Sequence, residues 1–162
     1  MRPPEPLTAD HTLDSFQSGE PVLDDWLKSR ALDNMALGAS RTFVITQGET
    51  SEVIGFYALA MGQVLNQDVP GSMRRNMPRA IPAVILARLA VDQRSQGQGL
   101  GAALLQDAVT RSLRAITEVS ARLLIVHAIS PAAEAFYARH GFTRLPVPTP
   151  TFALDLVKYG RA

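Results

Sequence analysis

Apolar residues along this chain change their spacing several times, and each change marks an element. Over residues 21–37, Val22, Leu23, Trp26, Leu27, Ala31, Leu32 and Met35 return every three or four positions, which gathers them on one face of a helix. Pro21 suits the first helical position, where the N–H it lacks would have had no partner. Asp24 and Asp25 meet the positive end of the helix dipole, and Gly38 is a natural stop. Residues 41–47 read as a strand rich in β-branched and aromatic types, 48–51 as a turn, and 52–61 as the antiparallel partner. A short extended stretch is expected near residues 6–8.

The pattern then breaks. Residues 62–82 hold Pro70, Gly71, Pro78 and Pro82 together with Arg74, Arg75 and Arg79, and predict a long connection with at most short helical pieces. Residues 83–91 are apolar on both faces except at Arg88, the mark of a central strand. A polar, glycine-containing turn follows over 92–98. The next helix runs from about 99 to 115, with Leu100, Leu104, Leu105, Ala108 and Val109 inward. Residues 121–128 predict another strand, and 131–140 a short helix closed by Gly141. Two short strands near 142–145 and 151–157 finish the chain. The order gives an α/β domain with an antiparallel front half and β-α-β packing behind it.

Composition bounds this picture more than it extends it. A length of 162 residues predicts a single domain over 1–162, and 46% hydrophobic residues fit a soluble globular chain. With no cysteine, disulfides, thiolate catalysis and cysteine-based metal sites drop out, and no metal is expected. The first residues carry no apolar run behind a basic patch, and no apolar stretch approaches the roughly 20 residues of a membrane helix, so a cytoplasmic location is expected. The net charge of +1 hides an uneven distribution. Residues 1–69 carry four basic and ten acidic side chains, whereas residues 70–122 carry eight and three, all eight of them arginine. Arginine suits bidentate phosphate contacts, although the chain has only two lysines and its basic residues are arginine nearly everywhere.

The turn after the central strand carries the most specific chemistry. Gln96-Gly97-Gln98-Gly99-Leu100-Gly101 joins a buried strand to an amphipathic helix. A helix start presents N–H groups without partners and a partial positive charge, and glycines let an anion approach the backbone. Together they make a pyrophosphate cradle. A P-loop would need Lys-Ser or Lys-Thr after the last glycine, and Ala102-Ala103 stands there instead. Gly97, Gly99 and Ala102 satisfy a dinucleotide fingerprint, but that motif normally opens its domain rather than following 96 residues. Gln96, Gly99 and Gly101 also fit Gln/Arg-x-x-Gly-x-Gly/Ala.

With Arg-Leu-Ala-Val at 88–91, this turn, and Ala-Phe-Tyr-Ala-Arg-His-Gly-Phe at 135–142, the chain resembles the GNAT acetyltransferase superfamily over residues 20–157. The resemblance implies a mixed, mostly antiparallel sheet of six to seven strands flanked by helices, with acetyl-CoA as acetyl donor. It implies that Leu89, Ala90 and Val91 run along the pantetheine arm and the acetyl carbonyl. It assigns the pyrophosphate to backbone N–H groups of the 96–102 turn, including Gln96, Gly97, Gln98, Gly99, Leu100, Gly101 and Ala102. It places Phe136 and Tyr137 at the thioester. Tyr137 is then the candidate acid for the departing sulfur. No general base stands out; His127 fits that role or a structural one, and His11 and His140 fit it less well.

Within the superfamily the chain is similar to the GNAT-type toxins of bacterial type II toxin–antitoxin modules. That likeness rests on Gly-Glu-Pro-Val-Leu-Asp-Asp-Trp-Leu at 19–27, Ser-Arg-Thr-Phe-Val at 40–44, Tyr-Ala-Leu-Ala at 57–60, Arg-Asn-Met-Pro at 75–78 and Arg-Leu-Ala-Val-Asp at 88–92. It implies acetylation of the amino group of aminoacyl-tRNA, arrest of translation, neutralisation by a ribbon-helix-helix antitoxin, and a homodimer. Arg74, Arg75 and Arg79, extended by Lys28 and Arg30, are the residues expected at tRNA phosphates, with no aromatic interleaving for base stacking. A small-molecule amine or a protein N-terminus as acceptor, and a non-catalytic acetyl-CoA-binding module, are the alternatives at this stage.

Overall fold

The computed structural model describes residues 2–161. Met1 and Ala162, the ends of the domain expected over 1–162, lie outside them. Seven strands form one sheet: β1 (Glu5–Pro6), β2 (Arg41–Thr46), β3 (Val53–Leu65), β4 (Ala80–Val91), β5 (Leu123–His127), β6 (Thr143–Arg144) and β7 (Thr151–Asp155), in the order β1-β2-β3-β4-β5-β7-β6. The pairs β1/β2, β2/β3, β5/β7 and β6/β7 are antiparallel, and β4/β5 is parallel. The sheet is mixed and mostly antiparallel, with the doubly apolar strand at its centre. The helices are α1 (Pro21–Ser29), α2 (Ala31–Leu37), α3 (Gly71–Arg74), α4 (Leu100–Ala115), α5 (Pro131–Arg139) and α6 (Leu156–Arg161). The chain divides into two compact units, and β3, β4 and α4 each contribute residues to both.

The first unit takes the residues up to Ala60 together with Ala87–Ala108. Its core gathers Phe16, Leu23, Leu27, Ala31, Phe56 and Ala90 among others, with Trp26 packed against it. Phe56 meets Phe16 edge-on at 5.6 Å and stacks on Trp26 at 6.3 Å. The single helix expected over 21–37 is broken: Arg30, at φ −126° and ψ −28°, separates α1 from α2. Ser29 Oγ donates to the carbonyl of Asp25 at 2.6 Å, and back-bonding of this kind competes with the ladder and bends a helix. The break keeps Leu27 and Ala31 buried while leaving Leu32 and Leu37 exposed. Tyr57, fully buried, donates its hydroxyl to Asp107 Oδ2 at 2.5 Å, which pins β3 to α4 within this unit.

The second unit takes Met61–Leu86 together with the residues from Val109 onward. Its core includes Val69, Met73, Ile81, Leu123, Ile125 and Ala153. The register of β4 with β5 runs from Ala83↔Leu123 to Leu86↔Val126, and β4 continues past its last paired residue to Val91. The connection expected over 62–82 is shorter, because β3 runs on to Leu65 and β4 begins at Ala80. Gly62 allows that extension: a Cβ there would lie 2.9 Å from Ile85 Cγ1. Asn66 closes the remaining loop, its N–H donating to Arg79 O at 2.8 Å and its Nδ2 to Pro78 O at 3.3 Å. The strand expected over 151–157 stops at Asp155, and α6 takes its place, with Asp155 Oδ1 accepting from the Lys158 N–H.

Candidate functional site

The turn between β4 and α4 is built from both of its ends. Asp92, 1% exposed, accepts from the N–H groups of Gln17 at 3.0 Å and Arg94 at 2.9 Å, and from the Arg94 guanidinium at 2.9 Å. Burial pushes its carboxyl pKa up, but these hydrogen bonds outweigh burial and hold it below the usual aspartate value. Arg94 also reaches Glu52 Oε1 at 2.9 Å, and its pKa is raised, first by Asp92 and then by Glu52. The Gln96 amide donates to Val91 O at 2.9 Å and Ser18 O at 3.0 Å. Its side chain therefore braces the turn.

What the turn offers an anion is backbone. Gly97 and Gly99 both sit at φ +81°, where a Cβ would meet nothing but would strain the backbone. The Ala103 N–H, donating to Gly99 O at 3.1 Å, is the first of the α4 ladder. The N–H groups of Leu100, Gly101 and Ala102 precede it, and among the described residues none has a protein acceptor. Donors aimed outward from a helix start are what an anion requires. A cavity of about 430 Å³ opens on the flank of this turn, lined by Thr46, Gln47, Glu52, Arg94, Ser95 and Gln98 among others.

Leu89, Ala90 and Val91 close β4 in the same unit, all beyond the last residue in register with β5. Ala90 is buried in the α1 core, while Leu89 and Val91 are half-buried. Tyr137 and Phe136 belong to the second unit, on α5. The Ser130 hydroxyl caps that helix by accepting from the Ala133 N–H at 3.1 Å, and Pro131 opens it. Tyr137 is 5% exposed and ringed by Phe136 at 5.2 Å, Phe142 at 5.6 Å and Phe152 at 6.5 Å. Burial pushes its phenol pKa well up, so the group is a proton donor throughout the neutral range.

The histidines fall into bonded roles. His127 is exposed at the end of β5, with Nδ1 2.9 Å from Thr151 Oγ1. His140 Nδ1 lies 2.8 Å from Phe136 O at the end of α5, and His11 is set between the Thr8 N–H and Glu5. Among the described residues no group of three or more His, Asp or Glu is placed to hold a metal, and no helix is long and apolar enough to cross a membrane.

The basic stretch proves less uniform than its composition. Arg94 is committed to Asp92 and Glu52, and Arg122 to Asp155. Arg74, Arg75 and Arg79 are exposed in the second unit and form no ion pair among the described residues. Lys28 and Arg30 are exposed in the first. Sequence reasoning missed the bracing by Asp92, Arg94 and Glu52; its one visible signal was an aspartate closing an apolar strand with an arginine two positions on.

Comparison with known proteins adds a family and several relatives. Residues 38–144 match the model of the acetyltransferase (GNAT) domain. The chain is 47% identical over 148 residues to the tRNA-acetylating toxin of Mycobacterium tuberculosis (strain ATCC 25618 / H37Rv), covering 91% of this chain and 87% of that one. Among solved structures, AtaT complexed with acetyl-methionyl-tRNAfMet is 27% identical with a TM-score of 0.91, covering 98% of this chain and 96% of that one. A tyrosine-to-phenylalanine mutant of AtaT, bound to the C-terminus of the antitoxin AtaR and acetyl-CoA, is 27% identical with a TM-score of 0.82, covering 96% and 93%.

Proposed function

Because the chain belongs to the GNAT acetyltransferase family, we propose that it transfers the acetyl group of acetyl-CoA to the α-amino group of aminoacyl-tRNA and thereby blocks translation. The observation that carries the donor half is the row of outward N–H groups at 100–102 behind two glycines at φ +81°. The acceptor half is supported by the 47% identity to a tRNA-acetylating toxin over 91% of this chain, and by the exposed arginines at 74, 75 and 79.

In this reading the braced turn takes the pyrophosphate on the N–H groups of residues 97–102. The backbone of Leu89, Ala90 and Val91 runs along the pantetheine and directs the acetyl carbonyl, and Phe136 lines the thioester end. The neutral amine attacks the carbonyl carbon, the C–S bond of the tetrahedral intermediate breaks, and the thiolate takes the Tyr137 phenolic proton. The proton that the amine loses passes to solvent, and solvent returns one to the Tyr137 phenolate, which restores the phenol. No strong base is required, because the ester of an aminoacyl group draws electrons from its α-amine and leaves much of it unprotonated near neutrality. Holding both reactants together supplies several kcal/mol of the barrier, roughly 7–11 in the most favourable cases. A ribbon-helix-helix antitoxin as neutralising partner, a homodimer and a cytoplasmic location complete the proposal.

The test is incubation with acetyl-CoA and charged tRNA, followed by isolation of acetyl-aminoacyl-tRNA. Absence of that product, together with undiminished growth on expression, overturns the acceptor assignment. Release of CoA with a panel of small amines but not with charged tRNA points to another acceptor.

A further inference from the structure

One side chain of β4 has no role in the chemistry above. Arg88 stands two positions before Ala90, on the strand face turned to α1, while Leu89 and Val91 point the other way. Its guanidinium carbon lies 4.2 Å from the centroid of the Trp26 ring. It makes no hydrogen bond and no ion pair among the described residues. The side chain is half-buried, and burial pulls its pKa down. An arginine that is partly desolvated, fixed over an aromatic plate and without a protein acceptor among the described residues keeps its N–H donors available to an acceptor from outside the chain.

The plate narrows what that acceptor is. Trp26 has Arg88 over its ring and stacks on Phe56, with the two rings 15° from parallel. The indole is therefore taken, and recognition there runs through the free edge of the guanidinium rather than through stacking of a base. A planar fork of N–H donors matches two oxygens of one anion. Strand alternation separates this fork from the Leu89 and Val91 side chains.

We propose that Arg88, held over Trp26, receives a phosphodiester of the acceptor's single-stranded 3′ end and so orients the acceptor at the end of β4. This rests on the reading of the acceptor as aminoacyl-tRNA. Arg88 is then a substrate-positioning residue in addition to the exposed arginines at 74, 75 and 79.

Trp26 is the only tryptophan in the chain, so its fluorescence reports on this site alone. The experiment titrates the full-length protein with the trinucleotide cytidylyl-cytidylyl-adenosine, with adenosine, and with acetyl-CoA. The expected result is a saturable change with the trinucleotide, none with adenosine, and trinucleotide affinity weakened about tenfold or more in Arg88→Met with acetyl-CoA affinity unchanged. Should Arg88→Met fail to fold, Arg88→Lys serves: its affinity must also fall, because one ammonium does not reproduce a two-pronged contact. Equal trinucleotide binding by wild type and variant, or a matching loss of acetyl-CoA affinity, overturns the proposal. Trinucleotide binding at Arg88 with charged tRNA left unacetylated would sink the acceptor reading and keep the anion site. Acetylation of charged tRNA without any trinucleotide response would do the reverse.

Discussion

At the scale of single residues, the surroundings of Tyr137 bear directly on the acid role proposed for it. A phenol exposed to water is a poor acid at neutral pH, and burial raises its pKa further. In the proposed reaction the same burial keeps the proton in place until negative charge develops on the departing sulfur beside it, where poor solvation makes that sulfur a better proton acceptor than a thiolate in water. Tyr137→Phe keeps the ring and loses the proton, so acetyl transfer should fall by about a hundredfold or more while acetyl-CoA binding, measured by calorimetry, is retained. The pH dependence follows in sign. The protonated phenol is the active form and its pKa is raised, so kcat should not decline as pH passes the ordinary tyrosine value of about 10. A falling limb centred below that value would remove Tyr137 from the role.

At the scale of elements, the segment from β4 through the turn to α4 works as one device. Strand and helix supply the ends, Asp92, Arg94 and Gln96 fix the path between them, and the glycines leave the N–H groups open. Gly99→Ala forces a side chain into left-handed backbone at a cost of roughly 1–2 kcal/mol. The KM for acetyl-CoA should rise by about tenfold, with the KM for the acceptor unchanged; an unaltered KM for acetyl-CoA would mean that the turn is not the cradle. This device was readable in the sequence because a central apolar run, a glycine pair and an amphipathic helix each leave a local signature. Other elements left none. The Arg30 break comes directly after a Ser29 hydroxyl that reaches Asp25 O, a local bond that periodicity does not encode. The extension of β3 to Leu65 depends on the Gly62–Ile85 approach, a tertiary contact. Helix α6 is too short for an apolar period, and only the capping aspartate at 155 announces it. For the candidate site, the glycine turn with its open N–H groups was legible, whereas the bracing carboxylates and the Arg88–Trp26 contact join residues far apart in the chain.

At the scale of the whole molecule, two buried carboxylates set the acid limit. Burial pushes Asp92 and Asp155 up, but hydrogen bonds, chiefly from Arg94 and Arg122, hold both below their ordinary value. The unfolded chain therefore binds more protons than the folded one as pH drops below about 4. Their contribution is fully present above that value and is lost as pH falls through the lowered pKa values, which a series of urea midpoints from pH 6 to pH 3 would trace. Asp155→Asn strands Arg122, only 17% exposed, and should cost about 3 kcal/mol at neutral pH. Binding of tRNA has its own global readout. Replacing Arg74, Arg75 and Arg79 together by serine should reduce the slope of log affinity against log salt by roughly two to three; an unchanged slope would place the tRNA elsewhere. The division of the chain also bears on its synthesis. All residues of the first unit, the glycine turn among them, precede Val109, whereas Tyr137 comes later. A growing chain on the ribosome thus carries the turn proposed to hold the donor before it carries the phenol proposed to protonate the departing thiolate. Under that proposal the full ability to modify charged tRNA, the ribosome's own supply, arrives only after that phenol has been added.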